Sequence, residues 1–169
     1  AEHGARFGVR FQPDQIGLGL SFVSVAGFLL SYPSGVMADR FGRKAVIAPS
    51  TIISGLSIVL FALAPSYGWY LAACAVWSLA LGISSGAPGA YAADMAPTGM
   101  NAAAMSTYRM LADAGYVVGP FLLGLIADRW GATTALGFTA LLLLWSGILF
   151  AWLAPETYRS GKPPAEPVP

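Results

Sequence analysis

Two long stretches of this chain carry no charged side chain at all, Ala45 to Ala93 and Trp130 to Pro155. A globule in water would need charges along both, because its surface must be solvated. Across the whole chain 56% of residues are apolar and 10% charged, where a soluble domain has roughly 45–50% and about 25%. The sequence therefore argues for helices immersed in lipid. Nine Lys and Arg against eight Asp and Glu leave a net charge of +1, too weak a field to attract nucleic acid. Cys74 and His3 are each alone of their kind. No disulfide framework or Cys/His metal cluster can then be assembled, and no cofactor is expected. The chain opens on Ala1 without a basic region and short apolar run, and so reads as a fragment or a processed chain.

Crossing about 30 Å of hydrocarbon takes roughly 20 apolar residues in a helix, the form that pairs its own backbone groups. Charges and turn residues divide the chain into five such spans, about 16–38, 45–64, 69–93, 108–127 and 133–153. The expectation is an all-α membrane protein with five transmembrane helices, followed by a Pro-rich, disordered tail over 155–169. Arg40, Arg43, Lys44, Arg109, Arg159 and Lys162 fall on one side of the membrane, and Arg6, Arg10 and Arg129 on the other. The excess of basic residues makes the first side, and with it the tail, cytoplasmic. Gly82 and Gly86 in the third span, and Gly115 and Gly119 before Pro120 in the fourth, have the spacing that lets two helix backbones approach closely.

The link between the first two spans reads Gly35-Val-Met-Ala-Asp39-Arg40-Phe-Gly42-Arg43-Lys44. It resembles the signature loop of the major facilitator superfamily at every defined position. A degraded copy starts 89 positions later as Gly124-Leu-Ile-Ala-Asp128-Arg129-Trp-Gly131, without the closing basic pair. Three spans separate the copies, so they fall on opposite sides of the membrane, as inverted three-helix repeats require. Gly115-Tyr-Val-Val-Gly119-Pro120 resembles part of an element found in the family's exporters.

The resemblance implies five helices of a six-helix half. It implies the carboxy-terminal half, because Ser78 stands where the amino-terminal half usually has an Arg. Residues 1–15 are then the remnant of an outer loop. The implied partners are membrane lipid, the missing helices of the full transporter and a small-molecule substrate. The implied location is the plasma (inner) membrane, crossed several times. Family geometry places the first, third and fourth spans beside a central cavity, where Phe28, Trp77, Ser78 and Tyr116 are candidates to line it.

Three charges lie within or beside the membrane. Asp94 ends the third span on the side where Arg40, Arg43 and Arg109 emerge, and pairing with a signature-loop Arg is the family's pattern. Asp113 falls below the membrane surface if the fourth span begins near Tyr108, and intramembrane carboxylates are rare and often functional. Arg109, one turn earlier, is its expected partner, with proton or substrate coupling as the other role. No nucleophile has a base at suggestive spacing and no phosphate loop is present, so an enzyme is not expected. The expected function is part of a secondary transporter working by alternating access, with export favoured. The alternative is a non-transporting fragment that packs with or scaffolds partner helices.

Overall fold

The computed structural model describes residues 13–84 and 86–157. Among them are six helices and no strand: α1 Pro13–Phe41, α2 Arg43–Ala62, α3 Tyr67–Ser84, α4 Ala87–Asp94, α5 Asn101–Trp130 and α6 Ala132–Leu153. They supply five segments long and apolar enough to cross a bilayer, with α3 and α4 sharing one. Most of the expected outer-loop remnant, with Arg6 and Arg10, and the tail with Arg159 and Lys162 lie outside the described residues.

The side chains inside these helices close their polar groups locally. Ser50 donates to the carbonyls of Val46 (2.8 Å) and Ile47 (3.0 Å), Ser57 to Ser54 (2.7 Å) and Thr139 to Ala135 (2.9 Å). No buried side-chain nitrogen or oxygen among the described residues lacks a partner, as a low-dielectric setting demands. Pro33, Pro49 and Pro120 sit within continuous helices, as membrane helices tolerate.

Two spans differ from the sequence expectation. The third, expected over 69–93, is two helices, and Gly86 and Pro88 lie at the start of the second. Proline has no N–H to donate and its ring clashes with the carbonyl four residues back, so the helix stops and restarts with Pro88 in its first turn. Gly82 and Gly86 are therefore not on one helix face. The fourth, expected over 108–127, is α5, which begins at Asn101. The run Asn101-Ala-Ala-Ala-Met105 has the propensity to carry the helix outward before its apolar part begins.

Packing is tight at small residues. The Tyr70 ring fills the notch left by Gly19, its hydroxyl donating to the Ile16 carbonyl at 3.2 Å, and Leu30 lies against Gly82, so α1 seats on α3. Leu144 covers Gly55 and Ile52 covers Gly147, so α2 seats on α6. By contrast α5 rests on α4 and α6 and contains no buried residue. A Cβ at Gly115 or Gly119 would meet nothing within 4 Å, so this glycine pair, expected to pack a helix, faces none of the described residues.

Candidate functional site

The site begins at the turn between α1 and α2. The Gly42 N–H donates to the Ala38 carbonyl at 3.2 Å, and Gly42 then takes φ 95° and ψ 154°. That region is essentially reserved for glycine, and it lets α2 start at the next residue. Arg43 is thereby placed one turn from Asp39, to whose Oδ1 its Nη1 donates. On its other side Arg43 Nε donates to Asp94 Oδ2 at 3.2 Å, from the end of α4. One guanidinium thus bridges two carboxylates on two helices, a use of its planar fork that a lysine could not copy. The side chains of Arg43, Asp94 and Asp39 are 15%, 33% and 66% exposed, so the Asp94 arm of the bridge sits at a boundary and the Asp39 arm is open to water.

The segment after α6 closes the cluster. Phe150 packs edge-on against the Tyr91 ring, with centroids 5.1 Å apart, and the Tyr91 hydroxyl donates to the Pro155 carbonyl at 3.0 Å. Thr157 donates to Asp94 Oδ2 at 3.4 Å. The Glu156 carboxylate lies where a Cβ on Gly42 would be, its atoms 2.7–2.8 Å from that position. There it faces the start of α2, which has no side-chain cap and carries the positive end of the helix dipole. Residues 155–157, expected in a disordered tail, are thus held by specific bonds. Tyr91, Pro155, Glu156 and Thr157 do not stand out in the sequence. The only signal there is that α6 must end on the same side as the first junction.

The other signature positions are placed differently. A Cβ at Gly35 would meet nothing within 4 Å, so helix contact there does not explain it. Arg40 is exposed and Lys44 half-buried. Both described ion pairs belong to Arg43, and neither Arg40 nor Lys44 takes part in them.

The degraded copy turns α5 into α6 with the same backbone. The Gly131 N–H donates to the Ala127 carbonyl at 2.8 Å, and Gly131 has φ 90° and ψ 156°. Asp94 and Glu156 both meet the first junction, and one long helix separates each of them from the ends at the second. The two turns therefore lie at opposite ends of the bundle.

A groove of about 630 Å³ lies between α1 and α3, lined by Leu20, Val23, Ser24, Gly27, Phe28, Ser31, Trp77 and Leu81. It gathers two of the expected cavity residues, Phe28 and Trp77. The other two are elsewhere: Ser78 is buried with its hydroxyl donating to the Ala75 carbonyl at 2.8 Å, and Tyr116 is exposed on α5. Ser24 and Ser31 add polar groups that the spacing of the spans does not reveal, each donating to a carbonyl of its own helix.

Arg109 and Asp113 do not make the expected ion pair with each other; both are exposed on α5. The 30 residues of α5 span about 45 Å at 1.5 Å per residue. Centred on about 30 Å of hydrocarbon, the helix would carry Asp113 roughly 10 Å inside.

The comparisons with known proteins bear on this arrangement. The sequence profile of the Major Facilitator Superfamily matches residues 5–168. YwtG of Bacillus subtilis (strain 168), named for metabolite transport, is 30% identical over 145 residues, which are 85% of this chain and 31% of that protein. Human solute carrier family 22 member 2 is 29% identical over 139 residues, 82% of this chain and 24% of the relative. A multi-drug resistance efflux pump PmrA homolog of Lactococcus lactis is 28% identical over 146 residues, 85% of this chain and 35% of the relative. The chain thus spans about a quarter to a third of the length of these relatives. Five apolar segments, a glycine junction repeated at the opposite end of the bundle and a profile match over 5–168 lead to one conclusion: the chain belongs to the major facilitator superfamily.

Proposed function

We propose that this protein is part of a secondary transporter that moves a small solute by alternating access, with the Arg43 cluster as its cytoplasmic lock. The observation that carries the reading is the asymmetry of the junctions: the same turn occurs at both ends, and the described ion pairs occur at only one. At this partly exposed site the two charge-assisted bonds together contribute about 1–2 kcal/mol, enough to bias a two-state bundle and weak enough to break in each cycle. The groove between α1 and α3 is the candidate solute site, offering the aromatic rings of Phe28 and Trp77 beside the serine hydroxyls. Further helices of the same carrier would cover the exposed faces of α1 and α5, and the efflux pump among the relatives favours export. The Lys and Arg bias supports a cytoplasmic face for the junction side, and the family resemblance supports a plasma (inner) membrane. Asp113, without an ion-pair partner among the described residues, is the candidate for proton or solute coupling.

The test is flux in proteoliposomes, after a screen of sugars, drugs and organic acids has supplied a solute. Asp39→Asn is expected to slow transport about tenfold, the equivalent of 1.4 kcal/mol on the switching barrier, while solute binding survives. An unchanged rate would remove the lock from the mechanism. The exposed α5 face also suits a scaffold that only packs with partner helices, and measurable flux would decide against it.

A further inference from the structure

The groove between α1 and α3 has one aromatic side chain that is braced and one that is not. Phe28 of α1 is 77% exposed and meets no other ring among the described residues. Trp77 of α3 is held by a residue outside the groove. The ring of Phe61, near the end of α2, stands at 89° to the Trp77 indole with centroids 5.8 Å apart, and Phe61 is not among the groove's lining. Ring pairs at right angles and this separation attract each other beyond the area they bury. Phe61 also lies 5.6 Å from the Tyr70 ring. Tyr70 and Trp77 are seven positions apart, two turns along one face of α3, so Phe61 ties both turns.

Tyr70 is itself fixed, with its ring in the notch at Gly19 and its hydroxyl on the Ile16 carbonyl. Buried Val23 of α1 belongs both to this aromatic cluster and to the lining of the groove. Contacts thus run without a break from the start of α1 through Tyr70 and Phe61 to the one indole in the groove. An indole whose orientation is already set loses less freedom when a solute binds against it. Its face attracts cations, and no lining residue of the groove is basic. We infer that Phe61 is a positioning residue for solute recognition, holding the Trp77 indole in the orientation that receives an aromatic organic cation. The inference rests on the reading of this groove as the solute site.

The intact protein in phosphatidylcholine nanodiscs, labelled with 5-fluorotryptophan and titrated with tetraphenylphosphonium as the probe, provides the test. The fluorine signal lost in Trp77→Phe identifies Trp77. Phe61→Leu should shift or split that signal while leaving the other tryptophans as they are. It should also weaken probe binding, measured as the excess over empty nanodiscs, about fivefold, the ordering cost of one side chain expressed as affinity. Phe61→Met, which also lacks a ring, gives the same reading if the Leu variant does not fold. Phe61→Tyr restores the ring and should return both signal and affinity to those of the parent, whereas Trp77→Leu should weaken binding about tenfold. An unmoved Trp77 signal in the ringless variants, or no rescue by Phe61→Tyr, would overturn the positioning role and leave the groove as solute site. Affinity lost in Trp77→Leu but kept in Phe61→Leu would do the same. A probe that does not bind the unmodified protein, or binds Trp77→Leu equally well, would remove the groove as the site and the inference with it.

Discussion

At Gly42 the chain turns from α1 into α2, and at Gly131 from α5 into α6, with backbone angles that agree within 5°. Both turns come after an Asp-Arg-aromatic-Gly string. Around the first gather Arg43, Asp39, Asp94 and Glu156; around the second, a Cβ on Gly131 would meet nothing within 4 Å. Glycine fixes the turn, and the charge cluster depends on the residue after it. After Gly42 come Arg43 and Lys44, after Gly131 Ala132 and Thr133, so the second turn has no guanidinium at the position from which Arg43 holds an acid of another helix. The same backbone device thus carries an ion-pair cluster at one end and is a plain reversal at the other.

The sharpest way to break this contrast is to add one methyl group at each turn. Both Gly42→Ala and Gly131→Ala incur the strain of a glycine-only conformation, about 1–3 kcal/mol. Gly42→Ala must also move the Glu156 carboxylate, the free end of a flexible side chain, so its loss of thermal stability in detergent should be the larger by a small margin. In a Glu156→Ala background that excess should vanish, and an excess that persists would mean the crowding is not the cause.

A smaller effect should separate the two arginines. Arg43→Gln leaves Asp39 and Asp94 without their cation and should cost about 1–2 kcal/mol, in the range for a charge-assisted bond at a partly exposed site. Arg129→Gln, which removes no described ion pair, should stay within about 0.5 kcal/mol, as surface substitutions do. Unfolding midpoints of the two variants, measured side by side, decide this; equal shifts would erase the distinction between the junctions.

The smallest effect belongs to the closing segment. Thr157→Val removes one hydrogen bond of 3.4 Å to Asp94 and should cost about 0.5 kcal/mol, the low end for such a bond. Proteolysis of the purified protein should then cut after α6 sooner than in the parent. An unaltered cutting rate would show that Tyr91 and Glu156 hold the segment without it.

Much of this architecture is legible in the sequence because lipid leaves few choices. The charge-free runs become helices, and the two Gly-containing strings become their reversals. The break before Pro88 is hidden because apolar content is continuous across it, while the missing N–H acts on one bond only. Arg109 and Asp113 are expected to pair from their spacing of four, but an exposed i, i+4 pair with Arg first contributes little and does not fix two long side chains. Ser78 leaves the cavity for a related reason: a rotation about the helix axis, invisible in a run that is apolar all round, decides whether a hydroxyl meets the groove or its own helix.

The sequence by itself determined the all-helical, membrane-crossing class, the two glycine turns and the residues they display, since hydrogen bonds within four residues and the cost of unpaired groups in lipid are local matters. Only the tertiary structure decided that Arg43 rather than Arg40 or Lys44 takes both acids, and that Glu156 comes to rest on Gly42. Of those acids Asp94 is 51 positions from Arg43, and Pro155, beside Glu156, bonds Tyr91 across 64. Contacts over such distances depend on where separate helices end and how each is turned about its axis, and small-residue packing at Gly19, Gly55, Gly82 and Gly147 sets that.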